Sequence, residues 1–218
     1  MTASPAYDAT RARVETYFDR TATRTWERLT SDAPVSRIRQ TVRAGRDRMR
    51  ALMLSRLPLD LRGARILDAG CGAGQMSAEL AARGADVLGV DLSPQLIGIA
   101  EARMPAELRP RVQFVAGDML DTAHGTFDAV FAMDSLIYYD RHDLNTALGR
   151  LAQRTELIVF TVAPKTTLLT AMWWAGKLFP RSDRSPVMVP QAPGRLNAAS
   201  VGRIASGFYI SECMEMRR

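Results

Sequence analysis

The stretch Asp68-Ala-Gly-Cys-Gly-Ala-Gly74 lies between an apolar run, residues 64–67, and a segment of helical character, residues 75–83. A second apolar run, residues 86–90, ends at Asp91. Glycines let the backbone turn tightly and approach a ligand, and the start of the following helix presents N–H groups without partners inside the helix. An acid at the end of the second strand can accept hydrogen bonds from the hydroxyls of a ribose. The order strand, glycine loop, helix, strand and acid therefore predicts a nucleoside site.

The spacing of the glycines indicates which nucleoside is bound. The dinucleotide fingerprint G-x-G-x-x-G requires a glycine at Gln75 when it starts at Gly70, and at Ser77 when it starts at Gly72. A phosphate-binding P-loop is excluded because no Gly-Lys-Ser/Thr sequence follows. The spacing is instead D-x-G-x-G-x-G, which resembles motif I of the class I S-adenosylmethionine-dependent methyltransferases. Their ligand has no phosphates, so a third glycine for pyrophosphate is not required.

Acids occur, in the same order along the chain, at the positions where class I methyltransferases bind their cofactor. The resemblance implies that Asp68 helps to hold the ammonium group and that Asp91 holds the ribose. It also implies that Asp118 accepts a hydrogen bond from the adenine amino group, with Met119 against the base. The end of a fourth strand, residues 127–134, would face the methionine part. The residues expected to bind S-adenosylmethionine, and its product S-adenosylhomocysteine, are Asp68, Ala69, Gly70, Cys71, Gly72, Gly74, Asp91, Leu92, Asp118, Met119, Met133 and Asp134.

The order of the predicted elements indicates an α/β fold. It resembles the Rossmann-like class I methyltransferase fold: a mostly parallel seven-stranded sheet with an antiparallel last strand, N-terminal capping helices, and a helical lid after the fifth strand. Apolar periodicity predicts helices over residues 12–29 and 35–57, the second ending before Pro58. We expect residues 1–60 to form the capping helices and residues 61–218 the cofactor-binding core.

Within the core, Ser93 and Pro94 are typical of a helix start, with serine at the cap and proline at the first helical position. This helix should end near residue 103. Further predicted elements are strands over residues 112–115 and 156–162, a helix over 140–154, and a strand hairpin over 201–218 with its turn near 206–207. Residues 190–202 are too few for a full helix and strand, so we expect one or both to be reduced.

Composition restricts the class of protein. The length of 218 residues favours one domain with a decoration. Cys71 and Cys213 give no disulfide framework, so a reducing cytoplasm is expected. Residues 1–10 hold no apolar segment typical of a signal peptide, and no run approaches the ~20 apolar residues of a membrane span. The net charge is +6, and because Lys165 and Lys177 are the only lysines, 27 of the 29 basic residues are arginines, which fits a solvated surface or an anionic partner.

The segment that follows the fifth strand, residues 164–192, is rich in apolar residues and is interrupted by Pro180. Its adjacent tryptophans, Trp173 and Trp174, cannot both face one core on a helix, because neighbouring side chains lie about 100° apart. A core helix, a lid over a large apolar ligand and a foot on a membrane surface are all compatible with this pattern.

Several segments resemble magnesium protoporphyrin IX methyltransferase, in particular its purple-bacterial bacteriochlorophyll branch. They are residues 14–18 with Trp26, 38–45, 133–139, 160–164, 178–181 and 207–211. The last three are the more specific, because they lie outside the cofactor half. The resemblance covers nearly the whole chain. It implies an O-methyltransferase that moves a methyl group from S-adenosylmethionine to the 13-propionate of Mg-protoporphyrin IX, an early step toward bacteriochlorophyll.

A porphyrin is a flat apolar disc with two carboxylates on one edge. It requires an apolar cover and cations at its rim. The segment over residues 164–192 supplies both kinds of side chain. The residues expected to bind the substrate are Met172, Trp173, Leu178, Phe179, Arg181 and Arg184.

A propionate with a pKa near ~4.3 is ionised at neutral pH, so the transfer needs no catalytic base. Excluding water and aligning a carboxylate oxygen with the C–S bond should supply most of the acceleration. Tyr138, Tyr139 and Tyr17 are the candidates for orienting the reacting groups, and each is equally compatible with a core aromatic with a polar tip. Chlorophyll-branch relatives often have histidine where Tyr138 stands and tyrosine where Thr30 stands, so no acid–base role is carried over. No cluster has metal-site spacing, and no protein-bound metal is expected.

Two other functions stay open at this point. One is a class I methyltransferase acting on another small apolar substrate, such as a quinone precursor, or on RNA. The other is a non-catalytic porphyrin carrier. The apolar lid argues against RNA, and we expect no nucleic-acid partner. The expected partner is Mg-protoporphyrin IX, with the magnesium chelatase large subunit as a candidate. The expected location is the cytoplasm, with the surface of the photosynthetic membrane as a candidate peripheral contact.

Overall fold

The structure, a computed structural model, describes residues 5–17, 37–166 and 188–218. The helices in these ranges are α1 (Pro5–Tyr17), α2 (Arg37–Leu54), α3 (Gln75–Ala82), α4 (Pro94–Arg103) and α5 (Arg141–Ala152). The strands are β1 (Arg65–Ala69), β2 (Asp86–Asp91), β3 (Val112–Ala116), β4 (Ala129–Ala132), β5 (Leu157–Val162), β6 (Ala199–Ser206) and β7 (Tyr209–Arg217).

The strands form one sheet in the order β3-β2-β1-β4-β5-β7-β6. Strand β1 pairs in parallel with both β2 and β4, whereas β7 runs antiparallel to β5 and β6. The predicted sheet, mostly parallel with an antiparallel last strand, is confirmed. The order of strands reverses between β1 and β4, and open α/β sheets bind ligands outside the carboxyl ends of strands at such a switch point.

Two apolar layers cover the sheet, one on each face. Every residue of β5 is buried, as expected for a strand with helices on both sides. Neighbouring residues alternate between the layers: Val130 and Phe160 pack in one, and Phe131 and Val159 pack in the other. The first layer also contains α5, and the second contains α2 and α3.

Two helices begin at side chains that cap them. The Ser93 hydroxyl accepts a hydrogen bond of 3.3 Å from the backbone N–H of Leu96, which confirms the predicted start of α4. Asp140 accepts one of 2.9 Å from the N–H of Asp143 at the start of α5. Both caps satisfy donors that a helix leaves without partners in its first turn.

The predicted helices before β1 are only partly described. Helix α1 begins at Pro5, earlier than the predicted residue 12, and it buries Tyr7 and Val14 on one face two turns apart. The polar residues between them obscured this periodicity in the sequence. Residues 18–29, the rest of the predicted helix, lie outside the described residues. Helix α2 falls within the predicted residues 35–57, and the division of the chain at residue 60 stays a prediction.

The chain ends in the predicted hairpin, whose turn contains Gly207 at a φ of +58°. Of the helix and the strand that were expected to be shortened in this region, only the helix is. A single 3₁₀ turn, Pro193–Arg195, stands there, whereas β6 has eight residues. Within the described ranges, no helix combines the length and the apolar character that a membrane crossing requires.

Candidate active site

A cleft with an empty volume of about 920 Å³, which includes space open to solvent, lies at the carboxyl ends of β1, β2 and β4. Of the predicted cofactor residues, those that line it are Asp68, Gly70, Cys71, Gly72, Asp91, Leu92, Asp118, Met119, Met133 and Asp134. Ala69 and Gly74 do not. Ala69 packs into an apolar layer. A side chain at Gly74 would meet Phe114, behind the loop.

The glycine loop is fixed to the end of β2. The backbone N–H groups of Gly70 and Cys71 both donate to the carbonyl of Val90, at 2.7 and 3.0 Å. Gly70 has a φ of +81°, and a Cβ there would lie 2.3 Å from the Cβ of Ser135. The first glycine is therefore required by the close approach of the loop after β4.

Asp91 joins the loop to the start of α4. One carboxylate oxygen accepts from the N–H of Gly72 at 2.9 Å, and the other accepts from the N–H of Ser93 at 3.0 Å. Burial raises the pKa of Asp91, and these backbone hydrogen bonds oppose that rise. Because each carboxylate oxygen has two lone pairs, Asp91 retains capacity to accept the hydroxyls of a ribose.

Asp68 is buried below the loop. The Ser77 hydroxyl donates to its Oδ2 at 2.6 Å. Burial raises the pKa of Asp68 to about 7, helped by the charge of Asp91 and opposed by Ser77 and by Arg50. Without a ligand, this carboxyl can hold a proton near neutral pH. Beside a cationic ligand, it can lose that proton and carry a negative charge.

Helix α1 covers the opposite end of the cleft, at Asp118. The Tyr7 hydroxyl donates to Oδ1 of Asp118 at 3.0 Å, and the Arg11 guanidinium donates to Oδ2 at 3.0 Å. The Tyr7 ring stacks on Tyr139 with centroids 4.9 Å apart and planes 19° apart. Both rings line the cleft, and aromatic rings can contact a flat base.

Asp134 anchors the loop after β4. It has a φ of +57°, uncommon for a residue with a side chain. The Thr161 hydroxyl accepts from its backbone N–H at 2.7 Å and donates to its carboxylate at 3.1 Å. The Tyr209 hydroxyl donates to the same carboxylate at 3.2 Å, and Arg46 forms an ion pair with it. These contacts hold the residue in its strained conformation.

Tyr138 and Tyr139 also line the cleft, whereas Tyr17 does not. Burial, followed by the charge of Asp134, raises the pKa of Tyr138 above its usual range, and the nearby Tyr17 adds to this rise. Burial likewise raises the pKa of Tyr139 to about 12. Both phenols therefore stay protonated at neutral pH.

The two ends of the predicted lid meet beside these tyrosines. Gln191 donates from its backbone N–H to the carbonyl of Ala163 at 2.8 Å, and it donates from its side chain to the carbonyl of Tyr139 at 3.0 Å. Pro164 pairs with Gln191 as an isolated bridge. The predicted substrate residues lie outside the described residues: Met172, Trp173, Leu178, Phe179, Arg181 and Arg184.

The predicted site residues did not include several that line the cleft, among them Tyr7 on α1 and both Arg46 and Arg50 on α2. One signal was present in the chain. The two arginines are four residues apart, and each adjoins the buried face of α2 that carries Met49 and Met53. Among the residues that the structure describes, no group of three His, Cys, Asp or Glu side chains has the arrangement of a metal site.

Known proteins resemble both the cofactor half and the whole chain. A methyltransferase-domain family matches residues 66–156, and the family described as magnesium-protoporphyrin IX methyltransferase C-terminus matches residues 132–218. The chain is 60% identical over 219 residues to the magnesium-protoporphyrin O-methyltransferase of Rhodobacter capsulatus, which covers 97% of this chain and 98% of the relative. The Synechocystis protein of the same name is 28% identical over 94% of this chain and 95% of its own length.

Among solved structures, the crystal structure of magnesium protoporphyrin IX methyltransferase from Synechocystis PCC 6803 with bound S-adenosylhomocysteine has a TM-score of 0.78. It is 27% identical in sequence, and the match covers 95% of this chain and 99% of that chain. The similarity therefore extends over nearly the whole of both chains.

Proposed function

The chain belongs to the magnesium-protoporphyrin O-methyltransferase family, and we propose that it methylates the 13-propionate of Mg-protoporphyrin IX with S-adenosylmethionine. The products are the 13-monomethyl ester and S-adenosylhomocysteine. The observation that carries this proposal is the 60% identity to the Rhodobacter capsulatus enzyme over nearly the whole of both chains. The resemblance inferred from the sequence is confirmed by that match.

We assign each part of the cofactor to residues along the cleft. Asp118 and the stacked Tyr7 and Tyr139 suit the adenine, and Asp91 suits the ribose. Asp68 suits the ammonium group, because a buried carboxyl with a raised pKa gains a counter-ion there. When bound, S-adenosylmethionine supplies a methyl group on a positively charged sulfur.

The transfer removes one negative and one positive charge together. A carboxylate oxygen of the substrate forms the bond to the methyl carbon, and the electron pair of the C–S bond stays on sulfur. No proton moves, so the protein has to bind, orient and exclude water. Strand and loop residues that close the cleft, including the buried Met133, supply an apolar wall for this purpose.

Tyr138 is our candidate for orienting the carboxylate, because it lines the cleft and carries a phenol that stays protonated. Tyr139 is the second candidate, and its ring is held by stacking on Tyr7. Tyr17, which lies near Tyr138, is the third. The porphyrin would lie under the segment whose ends are joined at Pro164 and Gln191. We propose Met172, Trp173, Leu178 and Phe179 as apolar contacts of the porphyrin, and Arg181 and Arg184 as cations for its carboxylates. The chelatase large subunit and a membrane surface are further candidate contacts of the chain.

Incubation of the chain with S-adenosylmethionine and Mg-protoporphyrin IX tests the proposal. We expect a porphyrin product heavier by one methyl group, detected by mass spectrometry, together with S-adenosylhomocysteine in equal amount. Tight porphyrin binding without a product would indicate a carrier instead. Transfer to a quinone precursor or to RNA, with none to the porphyrin, would indicate a different methyltransferase.

A further inference from the structure

Helix α2 brings two arginines into the cleft one helical turn apart. Arg46 and Arg50 both line it, and their side chains are only 13% and 12% exposed. Their partners differ. Arg46 forms an ion pair with Asp134, whereas Arg50 pairs with Asp47 at 2.8 Å and with Glu79.

The two charges act on different parts of the site. Arg50 opposes the rise in the pKa of Asp68, which places its charge at the proposed ammonium end. Arg46 forms its ion pair with Asp134, which lines the cleft together with Ser135 and Tyr138 of the same loop. Of the two arginines, Arg46 therefore contacts the loop that carries Tyr138, our candidate for orienting the carboxylate.

The partner of Arg46 is built as a fixed counter-ion. Asp134 is held by Thr161 and Tyr209, and its backbone conformation is one that few residues other than glycine adopt. A guanidinium presents five N–H donors in a planar fork that matches a carboxylate. The fork can thus contact Asp134 with one edge and approach a second carboxylate within the cleft with another.

We propose that Arg46 binds the propionate that is to be methylated, and that Asp134 takes over the arginine's charge when the propionate becomes a neutral ester. This inference rests on the proposed function. Before transfer the arginine faces two carboxylates, one from the substrate and one from the protein. After transfer only Asp134 remains charged, so the product loses its strongest contact with Arg46. Arg46 would make the site select the free acid over the ester, and Asp134 would keep the guanidinium paired once the ester has formed.

Binding of two porphyrins to the chain with S-adenosylhomocysteine bound tests this selection directly. Fluorescence quenching would give the affinities for Mg-protoporphyrin IX and for its 13-monomethyl ester. We expect the wild-type chain to prefer the acid by roughly 10- to 100-fold, the effect of one charge-assisted hydrogen-bonded contact. In Arg46→Met this preference should fall to about one, and calorimetric titration with S-adenosylhomocysteine checks that the variant still forms the cofactor site.

Two further variants separate selection from a merely structural ion pair. Asp134→Asn removes the resident charge but retains a residue that tolerates a positive φ, so acid affinity should stay equal to the wild type or rise. If the pair only supported the fold, Arg46→Met and Asp134→Asn would weaken acid and ester alike. Arg48→Met, on the exposed side of the same helix, is the matched control and should keep the wild-type preference.

Different experimental results would overturn the proposed function and the role of Arg46. A wild-type chain that neither binds nor methylates Mg-protoporphyrin IX overturns the proposed function. A wild-type chain that methylates the acid, combined with an unchanged acid-to-ester preference in Arg46→Met, overturns only the role of Arg46. If Arg46→Met does not fold, Arg46→Lys provides the same comparison, because it keeps the charge but loses the fork, and the preference should fall to an intermediate value.

Discussion

The hydroxyl of Ser77 on α3 donates a 2.6 Å hydrogen bond to Oδ2 of Asp68 at the end of β1. Asp68 opens the glycine motif and is only 1% exposed, so this bond lies beneath the loop that the motif forms. It also connects the first strand to the first helix after it. The acid that the proposed cofactor would meet is therefore held in place before any ligand arrives, and burial keeps its pKa near 7.

The raised pKa of Asp68 predicts how stability depends on pH. Its ordinary pKa is 3.8 and its value in the folded chain is about 7, so between these values the folded chain holds a proton that the unfolded chain has lost. Stability should therefore fall as pH rises from about 4 to about 7, and then level off. Asp91, whose pKa is also raised, adds a slope of the same sign.

The variant Asp68→Asn isolates this contribution. Relative to the wild type, it should become more stable by at least about 1 kcal/mol as pH rises across this window, the equivalent of roughly one pKa unit. Urea unfolding of the ligand-free chain at several pH values measures the difference. Asp86→Asn, at the exposed start of β2, is the control. Parallel curves for wild type and Asp68→Asn would contradict the assignment.

Asp91→Ala should weaken S-adenosylhomocysteine binding by about 1–3 kcal/mol, because a charged acceptor for ribose hydroxyls is lost. It should also lower stability, since the N–H groups of Gly72 and Ser93 lose their acceptor. Calorimetry measures the first effect and thermal unfolding the second. Asp86→Ala, at the other end of the same strand, should change neither by more than about 0.5 kcal/mol. Unchanged affinity in Asp91→Ala would rule out the ribose role.

Much of the fold could be predicted from the sequence because the strands have a clear local pattern. Apolar runs bounded by glycines and acids marked β1 to β5, and the parallel pairing of such strands brings their carboxyl ends together. The resemblance to the class I methyltransferases assigned Asp68, Asp91 and Asp118 to one cofactor, and all three line the cleft. The serine and proline before α4 fixed its start in the same way.

The residues that helices bring to the cleft from outside the sheet could not be predicted in this way. Tyr7 lies on α1, and Arg46 and Arg50 lie on α2. Periodicity gives the buried face of a helix without saying what it covers. Asp134 was predicted at the cleft, but its ion pair with Arg46 joins residues that are 88 positions apart. Such a contact depends on tertiary packing, which no local pattern contains.

Tyr138→Phe should lower kcat about 2- to 10-fold, the effect of losing one orienting hydrogen bond. The KM for S-adenosylmethionine should stay the same. Because the substrate carboxylate is ionised and the pKa of Tyr138 lies above its usual range, kcat at saturating substrate should be flat between about pH 6 and pH 9. Steady-state rates across this range test both statements. If kcat of the wild type changes with pH in this range and the change disappears in Tyr138→Phe, this phenol acts as a base instead.

Tyr7 has two contributions that a pair of variants can separate. Tyr7→Phe removes the 3.0 Å hydrogen bond to Asp118 but keeps the stack on Tyr139, and should cost about 0.5–1.5 kcal/mol of stability. Tyr7→Ala also removes the buried ring and should cost about 3–5 kcal/mol. Urea unfolding measures both. Equal losses in the two variants would mean that the ring contributes nothing beyond its hydroxyl, and that α1 is not held by the stack.

Two glycines provide a matched test of the loop geometry. Gly70→Ala combines a φ of +81° with a Cβ placed 2.3 Å from the Cβ of Ser135, so either the loop or the end of β4 must shift. We expect a loss of about 2–5 kcal/mol in stability, the sum of the backbone strain and the overpacking, together with loss of S-adenosylhomocysteine binding. Gly98→Ala lies in α4, where a Cβ meets nothing within 4 Å, and should stabilise the chain by about 0.5–1 kcal/mol. Thermal unfolding and calorimetry on both variants decide the matter, because a Gly70→Ala chain that binds S-adenosylhomocysteine as tightly as Gly98→Ala would mean that the loop can move away from Ser135 without altering the site.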